Sequence, residues 1–375
     1  MGEWRETTIG EVCHIFDGPH ATPVKTEDGP WFLSISSLEN GRLNLAESAH
    51  ISNKDFDRWT RRVTPTPGDV LFSYETRLGA AALMPSGLRA CLGRRMGLLR
   101  PDPSRLNSHF LLYAYLGPTF QKVIEQRSIR GATVDRIPLV EMHKWPISIP
   151  PLHEQKAIAA VLGVLDDKIA VNERIVTAAL ELAGAQYNDI ALRATETTTV
   201  GDLLELRYGK ALPAVSRIPG KIPVYGSGGI SGSHNEYLVS GPGVIVGRKG
   251  TVGTVHWSEG SFFPIDTTFY VMLRRKTLPM EAAFFMLRSL GLSSMNSDSA
   301  VPGLNRGAVH SLEVRIPDQP TLRSFGQMVR QMFSLRENVA AESRKLAELR
   351  DTLLPKLMSG ELRVREAEEI VGGAL

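Results

Sequence analysis

The chain has 375 residues, 42% hydrophobic and 22% charged, which excludes a wholly disordered chain and allows two or three domains of ordinary size. The net charge of +3 is mild, and residues 1–150 and 196–318 each carry only +2, so a polyanion-binding surface has to be a local patch. No apolar run approaches the roughly 20 residues that span a bilayer, and the charged start of the chain lacks the apolar stretch of a secretion signal. Two cysteines, Cys13 and Cys91, make neither a disulfide framework nor a metal-ligand pair.

In chain order, a first module opens on Thr7-Thr8-Ile9-Gly10-Glu11-Val12, with Gly18 beyond. Short β-branched and aromatic runs at 31–35 and 70–74 are punctuated by Gly and Pro and predict strands; 108–126 predicts a helical patch. The module closes on Ile147-Ser148-Ile149-Pro150. A long helix is expected after Pro150-Pro151, because proline is tolerated in a first helical turn. Alternating steps of four and three give Ile158, Leu162, Leu165, Ile169, Asn172, Val176, Ala179, Ala183, Gln186 and Ile190, a heptad seam with polar Asn172 placed to set register.

The chain then repeats itself. Thr198-Thr199-Val200-Gly201-Asp202-Leu203 returns the opening motif at an offset of 191, and Gly209 matches Gly18. Strands are expected at 244–246 and 267–273 and a helical patch at 279–290, and Pro242-Gly243-Val244-Ile245-Val246 echoes Pro67-Gly68-Asp69-Val70-Leu71-Phe72. Residues 300–317 match 133–150 at an offset of 167, ending in Val314-Arg315-Ile316-Pro317. A second helix follows, with a seam through Leu322, Phe325, Val329, Met332, Arg336, Val339, Ser343, Leu346, Arg350, Leu353 and Leu357; Pro355 should bend or end it, and Ser359-Gly360 looks like a terminator. Each helix exposes one apolar stripe, and the simplest partner for each is the other; about 36 residues make a rod of roughly 54 Å. The reading is α/β (α+β): two duplicated modules, 1–150 and 196–318, joined by helices over 151–195 and 319–360. The helices form an antiparallel coiled coil with a pseudo-twofold axis, and 361–375 is a C-terminal tail.

Catalytic motifs are not found. The glycine run 226–232 lacks the spacing and following helix of a dinucleotide cradle, and Gly247-Arg248-Lys249-Gly250-Thr251-Val252-Gly253 has the wrong order for a Walker loop. His153-Glu154 is not followed by the second histidine of a zinc protease. Asp166-Asp167-Lys168 contains an acid-x-Lys triplet but lies in the heptad helix, and the histidines do not cluster at metal spacing. What remains is recognition. Arg248, Lys249 and Thr251 lie on a glycine-flanked tip after an apolar strand, where Arg or Lys can meet guanine edges or phosphates. The matching tip of the first module holds Tyr74, Thr76 and Arg77. Arg94-Arg95 forms another basic tip, and Arg58, Arg61 and Arg62 surround Trp59; Tyr225, Ser227, His234 and Asn235 offer polar groups in the second module.

The chain resembles the specificity (S) subunit of type I restriction-modification enzymes over essentially its full length. The resemblance rests on Ile149-Pro150-Pro151-Leu152, Glu154-Gln155 and Ile158, on Leu165-Asp166-Asp167-Lys168-Ile169, and on the closing run from Leu349-Arg350-Asp351 to Ser359-Gly360-Glu361-Leu362. The runs 68–72 and 247–253 look like that family's target-recognition domains. The second copy departs from the first in having Pro317-Asp318-Gln319-Pro320-Thr321-Leu322 without a Glu-Gln pair. The resemblance implies a non-catalytic subunit whose two recognition domains each read half of a bipartite, asymmetric double-stranded DNA target, with the helices fixing the spacer. It further implies two methyltransferase (M) subunits carrying S-adenosylmethionine, and motor-nuclease (R) subunits using ATP and magnesium. This chain would then hold no cofactor or metal and work in the cytoplasm without a membrane. The alternatives are a stand-alone duplicated α/β enzyme such as a nuclease, which needs a carboxylate or metal constellation, and a coiled-coil adaptor, which predicts that the basic tips can be changed freely.

Overall fold

The repeated opening motif is a strand that hands over to one capped helical turn. In the computed structural model, which describes residues 4–131, 134–295 and 303–375, strand Arg5–Thr8 runs into helix Ile9–Val12, and strand Glu196–Thr199 into helix Val200–Leu203. The acid three residues after the cap closes the turn: the Thr199 and Thr8 amides donate to Asp202 (3.3 Å) and Glu11 (3.2 Å). Hydroxyl donation from Thr7 to Glu11 and from Thr199 to Asp202, followed by these amide bonds, holds both carboxyls below the usual range. The motif's glycine is required by close approach. A Cβ on Gly10 would lie 2.9 Å from the Cβ and carbonyl of His143, and one on Gly201 3.1 Å from those of His310. The 191 and 167 offsets thus meet in space within each module; Thr133 and Ala300, where the latter repeat begins, fall outside the described residues.

The chain divides into two compact units, 1–170 with 343–375 and 171–342. Each contains the same three sheets, to which the first adds the short pair Leu38–Glu39 with Arg42–Leu43. In the first, Arg5–Thr8 pairs antiparallel with Pro146–Ile149, and a four-stranded antiparallel sheet has the order Cys13–Asp17, Met96–Pro101, Val70–Ser73, Ala81–Leu83. In the second, Glu196–Thr199 pairs with Glu313–Ile316, and the sheet order is Leu204–Tyr208, Thr268–Leu273, Gly243–Gly247, Val255–Ser258. A three-stranded sheet with one parallel pair accompanies each: Thr26–Leu33 beside Ala90–Leu92, and Ile222–Gly226 beside Phe263–Pro264. The apolar strands Val70–Ser73 and Gly243–Gly247 are buried throughout and are covered by helices Ser108–Leu116 and Met280–Ser289. The helical patch at 108–126 divides at Gly117 into Ser108–Leu116 and Pro118–Arg127.

Two long helices, Leu152–Arg193 and Gln319–Ser359, contribute a portion to each unit. In the first unit Ile158, Leu162 and Leu165 share a core with Leu346, Leu353 and Leu357. In the second, Asn172 donates to Glu342 (2.8 Å) while Tyr187 packs on Phe325, so the helices there pair antiparallel. The seam departs from a strict heptad at two places. Gln186 is exposed and Tyr187 buried in its stead; Phe333 is buried where the pattern gave Met332. A straight helix drifts by about 20° per heptad against a 3.5-residue repeat, which brings the neighbouring residue to the interface. Pro355 does not end the second helix. Gly360 does, with φ 73° and the Leu362 amide returning to the Lys356 carbonyl. Beyond it, Val364–Ala374 is helical and buries Ala367 and Val371 in the first unit's core.

The two helix starts are held differently. Gln155, 1% exposed, accepts from the Asn107 amide (2.8 Å) and donates to the Arg105 and Pro150 carbonyls. It therefore ties the first helix to the module preceding it. The second helix uses Asp318, whose carboxylate accepts from the Thr321 amide (2.8 Å).

Candidate nucleic-acid interface

In the second unit, strand Gly243–Gly247 delivers residues 248–254 as a closed loop. The Gly247 amide donates to Thr254 and the Gly253 amide to Gly247, both 2.8 Å, and Gly250 and Gly253 take φ of 79° and 77°. The loop is fastened to the turn at 226–229, since the Thr254 hydroxyl and the His256 ring both contact the Ser227 carbonyl. On this frame Lys249 and Thr251 are exposed. Arg248 is half-buried, with its guanidinium 5.1 Å from the centroid of the Tyr208 ring, and Arg306 approaches the same ring at 5.2 Å. Tyr208, 51% exposed, and Arg306 were not singled out in the sequence. Strand alternation places Tyr208 in line with buried Leu204 and Leu206, so periodicity gives it to the core; an arginine beside Asn305 gives no signal without its neighbours.

The corresponding loop of the first unit follows strand Val70–Ser73. Its Tyr74 amide donates to Arg95 (3.1 Å) and its Tyr74 carbonyl accepts from Ile137 (2.8 Å). Thr76 and Arg95 adopt left-handed φ of 69° and 70°, rare for residues with a Cβ. Thr76, Arg77 and Arg94 are exposed, whereas Arg95 is ion-paired with Glu75 (2.7 Å). Arg58 and Arg61 are exposed; Arg62 is engaged by Asp17 and the Gly18 carbonyl.

Four expected contact residues turn inward. Tyr74 lies in the first unit's core, and burial together with the Asp17 charge pushes its phenol up to about 12. Tyr225 packs edge-on against Phe262, and its hydroxyl donates to the Trp257 carbonyl (3.3 Å). Ser227 is buried beneath the 248–254 loop, and buried His234 accepts the Ile218 amide proton at Nδ1 (3.1 Å). These side chains hold the loops in shape; a base cannot reach them in this conformation. Among the described residues, no group of three His, Cys, Asp or Glu is arranged to hold a metal ion.

Comparison with known proteins fits this duplicated arrangement. The family model of the type I restriction modification DNA specificity domain matches residues 1–181 and 194–350. The chain belongs to this family. The family's two matches follow the internal duplication, one on each copy. The chain is similar to the type I restriction enzyme MjaIX specificity subunit of Methanocaldococcus jannaschii, at 23% identity over 97% of both chains. It is also 23% identical to the MjaX specificity subunit of that organism, a match spanning 46% of this chain and 42% of that protein. The crystal structure of the type I restriction-modification S subunit from M. genitalium has the same fold, with a TM-score of 0.57 at 19% identity over 95% of this chain and 96% of that one. Specificity subunits are the non-catalytic members of their systems.

Proposed function

We propose that this specificity subunit reads double-stranded DNA with both modules, each contacting one half of a bipartite, asymmetric target. The observation that supports this most is the duplication of one device. In each unit an apolar strand at the same sheet position ends in a loop with left-handed residues and exposed basic or hydroxyl side chains: Thr76 and Arg77 in the first, Lys249 and Thr251 in the second. Such tips suit base edges in a major groove. The paired helices set the spacer between half-sites and dock two methyltransferase subunits; motor-nuclease subunits join for cleavage. S-adenosylmethionine belongs to the methyltransferase, and ATP with magnesium to the motor-nuclease. An adenine in each half-site is flipped into the methyltransferase, which this chain positions. The assembly works where the chromosome is, in the cytoplasm; no described helix is long and apolar enough to cross a membrane.

The test is to map methylated adenines in cells that express the chain together with a type I adenine methyltransferase subunit that it binds. A two-part motif with an unspecified spacer is expected. Methylation without such a motif, or unaltered by exchanging one module, overturns the reading.

A further inference from the structure

Tyr208, Arg248 and Arg306 form a cluster for which the described residues provide no ion-paired carboxylate. Both guanidinium groups sit about 5 Å from one ring centroid and hence no more than about 10 Å apart, about one Debye length. Among the described residues no carboxylate is within ion-pair distance of either; Arg248 has only a 3.4 Å contact with the Asp266 carbonyl. The ring face attracts each cation, while the two like charges repel one another and favour the arrival of an anion.

The first module shows how the same place looks when the anion is built in. Asp17 ends strand Cys13–Asp17 opposite Gly97, and Tyr208 ends strand Leu204–Tyr208 opposite Phe269, so the two occupy the same register position. The Asp17 carboxylate accepts from Arg62 (3.0 Å) and faces His20 (2.6 Å). The first module pairs Arg62 with its own carboxylate; the second puts a tyrosine there, and among the described residues its two arginines meet no carboxylate.

We infer that Tyr208, Arg248 and Arg306 form a seat for a phosphodiester group of the DNA backbone, and that Asp17 fills the equivalent seat in the first module. The inference rests on the DNA-reading proposal and adds a division within it. The second module anchors on the backbone irrespective of sequence, and the first makes no such contact at this position.

The experiment measures binding of a labelled mixed-sequence duplex by the full chain, with its methyltransferase subunits bound, across a sodium chloride series. Arg306→Gln is expected to weaken binding to all duplexes alike and to flatten the slope of log affinity against log salt by about 1, while Arg306→Lys retains the slope. Asp17→Asn is expected to steepen it by up to about 1, because Arg62 is released for a phosphate. An unchanged slope in Arg306→Gln overturns the seat, as does a loss confined to one target sequence. Should that variant not melt cooperatively, an unchanged slope in Asp17→Asn overturns the inference instead. Failure of the wild-type complex to bind DNA at any salt concentration overturns the DNA-reading proposal itself, and the seat with it.

Discussion

At Gln155, one buried side chain serves three backbone groups. Gln155→Ala would leave the Asn107 amide and the Arg105 and Pro150 carbonyls without their partner, and a loss of about 2–3 kcal/mol is expected, read as a lower urea midpoint with unchanged slope. A second residue couples stability to pH. His310 Nε2 accepts the Leu206 amide proton (3.0 Å), which requires the neutral ring; burial, then Arg306 and Arg274, lowers its pKa, with Glu205 opposing. The unfolded chain therefore takes up this proton first as pH falls. The stability is fully present above the unfolded value of about 6.5 and is lost as pH drops through the lower folded value. Melting temperature should decline on acidification through this range in the wild type, and less steeply in His310→Gln. On the loop, Lys249→Ala should cost about 1–3 kcal/mol of binding for duplexes carrying the matching half-site and leave the other half's preference intact, as a competition assay would show.

The long helices are held by more than an apolar seam. In the first unit Asp166 accepts from Arg350 (2.7 Å) and from the Tyr113 hydroxyl (2.7 Å), joining both helices to helix Ser108–Leu116. Burial and the Asp166 charge hold the Tyr113 phenol well above its usual range. The pair is only 15% and 20% exposed, so Asp166→Asn should destabilise by about 2–3 kcal/mol in chemical denaturation, less than breaking a fully buried pair. This explains the Leu-Asp-Asp-Lys and Leu-Arg-Asp runs inside the protein itself. Asp167, one residue on, meets only exposed Arg42, and its replacement should change stability little.

For the whole molecule, the helices carry the prediction specific to a spacer. Seven residues inserted beside Asn172, with seven matching residues beside Glu342, preserve the face that each helix presents to the other. The methylated motif should then keep both half-sites and change only the number of unspecified bases between them. Sequencing of methylated adenines checks it, and an unaltered spacer contradicts the role given to the helices.

Duplication, element types and the two helical seams were legible in the residues, because repeats and apolar periodicity are properties of the chain alone. So was the presence of a loop after Gly247, since glycines mark a turn wherever it packs. The direction of individual side chains was not. Tyr74, Tyr225, Ser227 and His234 have the chemistry of surface contacts, yet each fills a space defined by distant residues, and Tyr208 keeps a strand's inward register while emerging at its end. The seam slipped to Tyr187 and Phe333 for the same kind of reason. Which neighbour is buried depends on the facing helix, and that is settled only when both surfaces exclude water together.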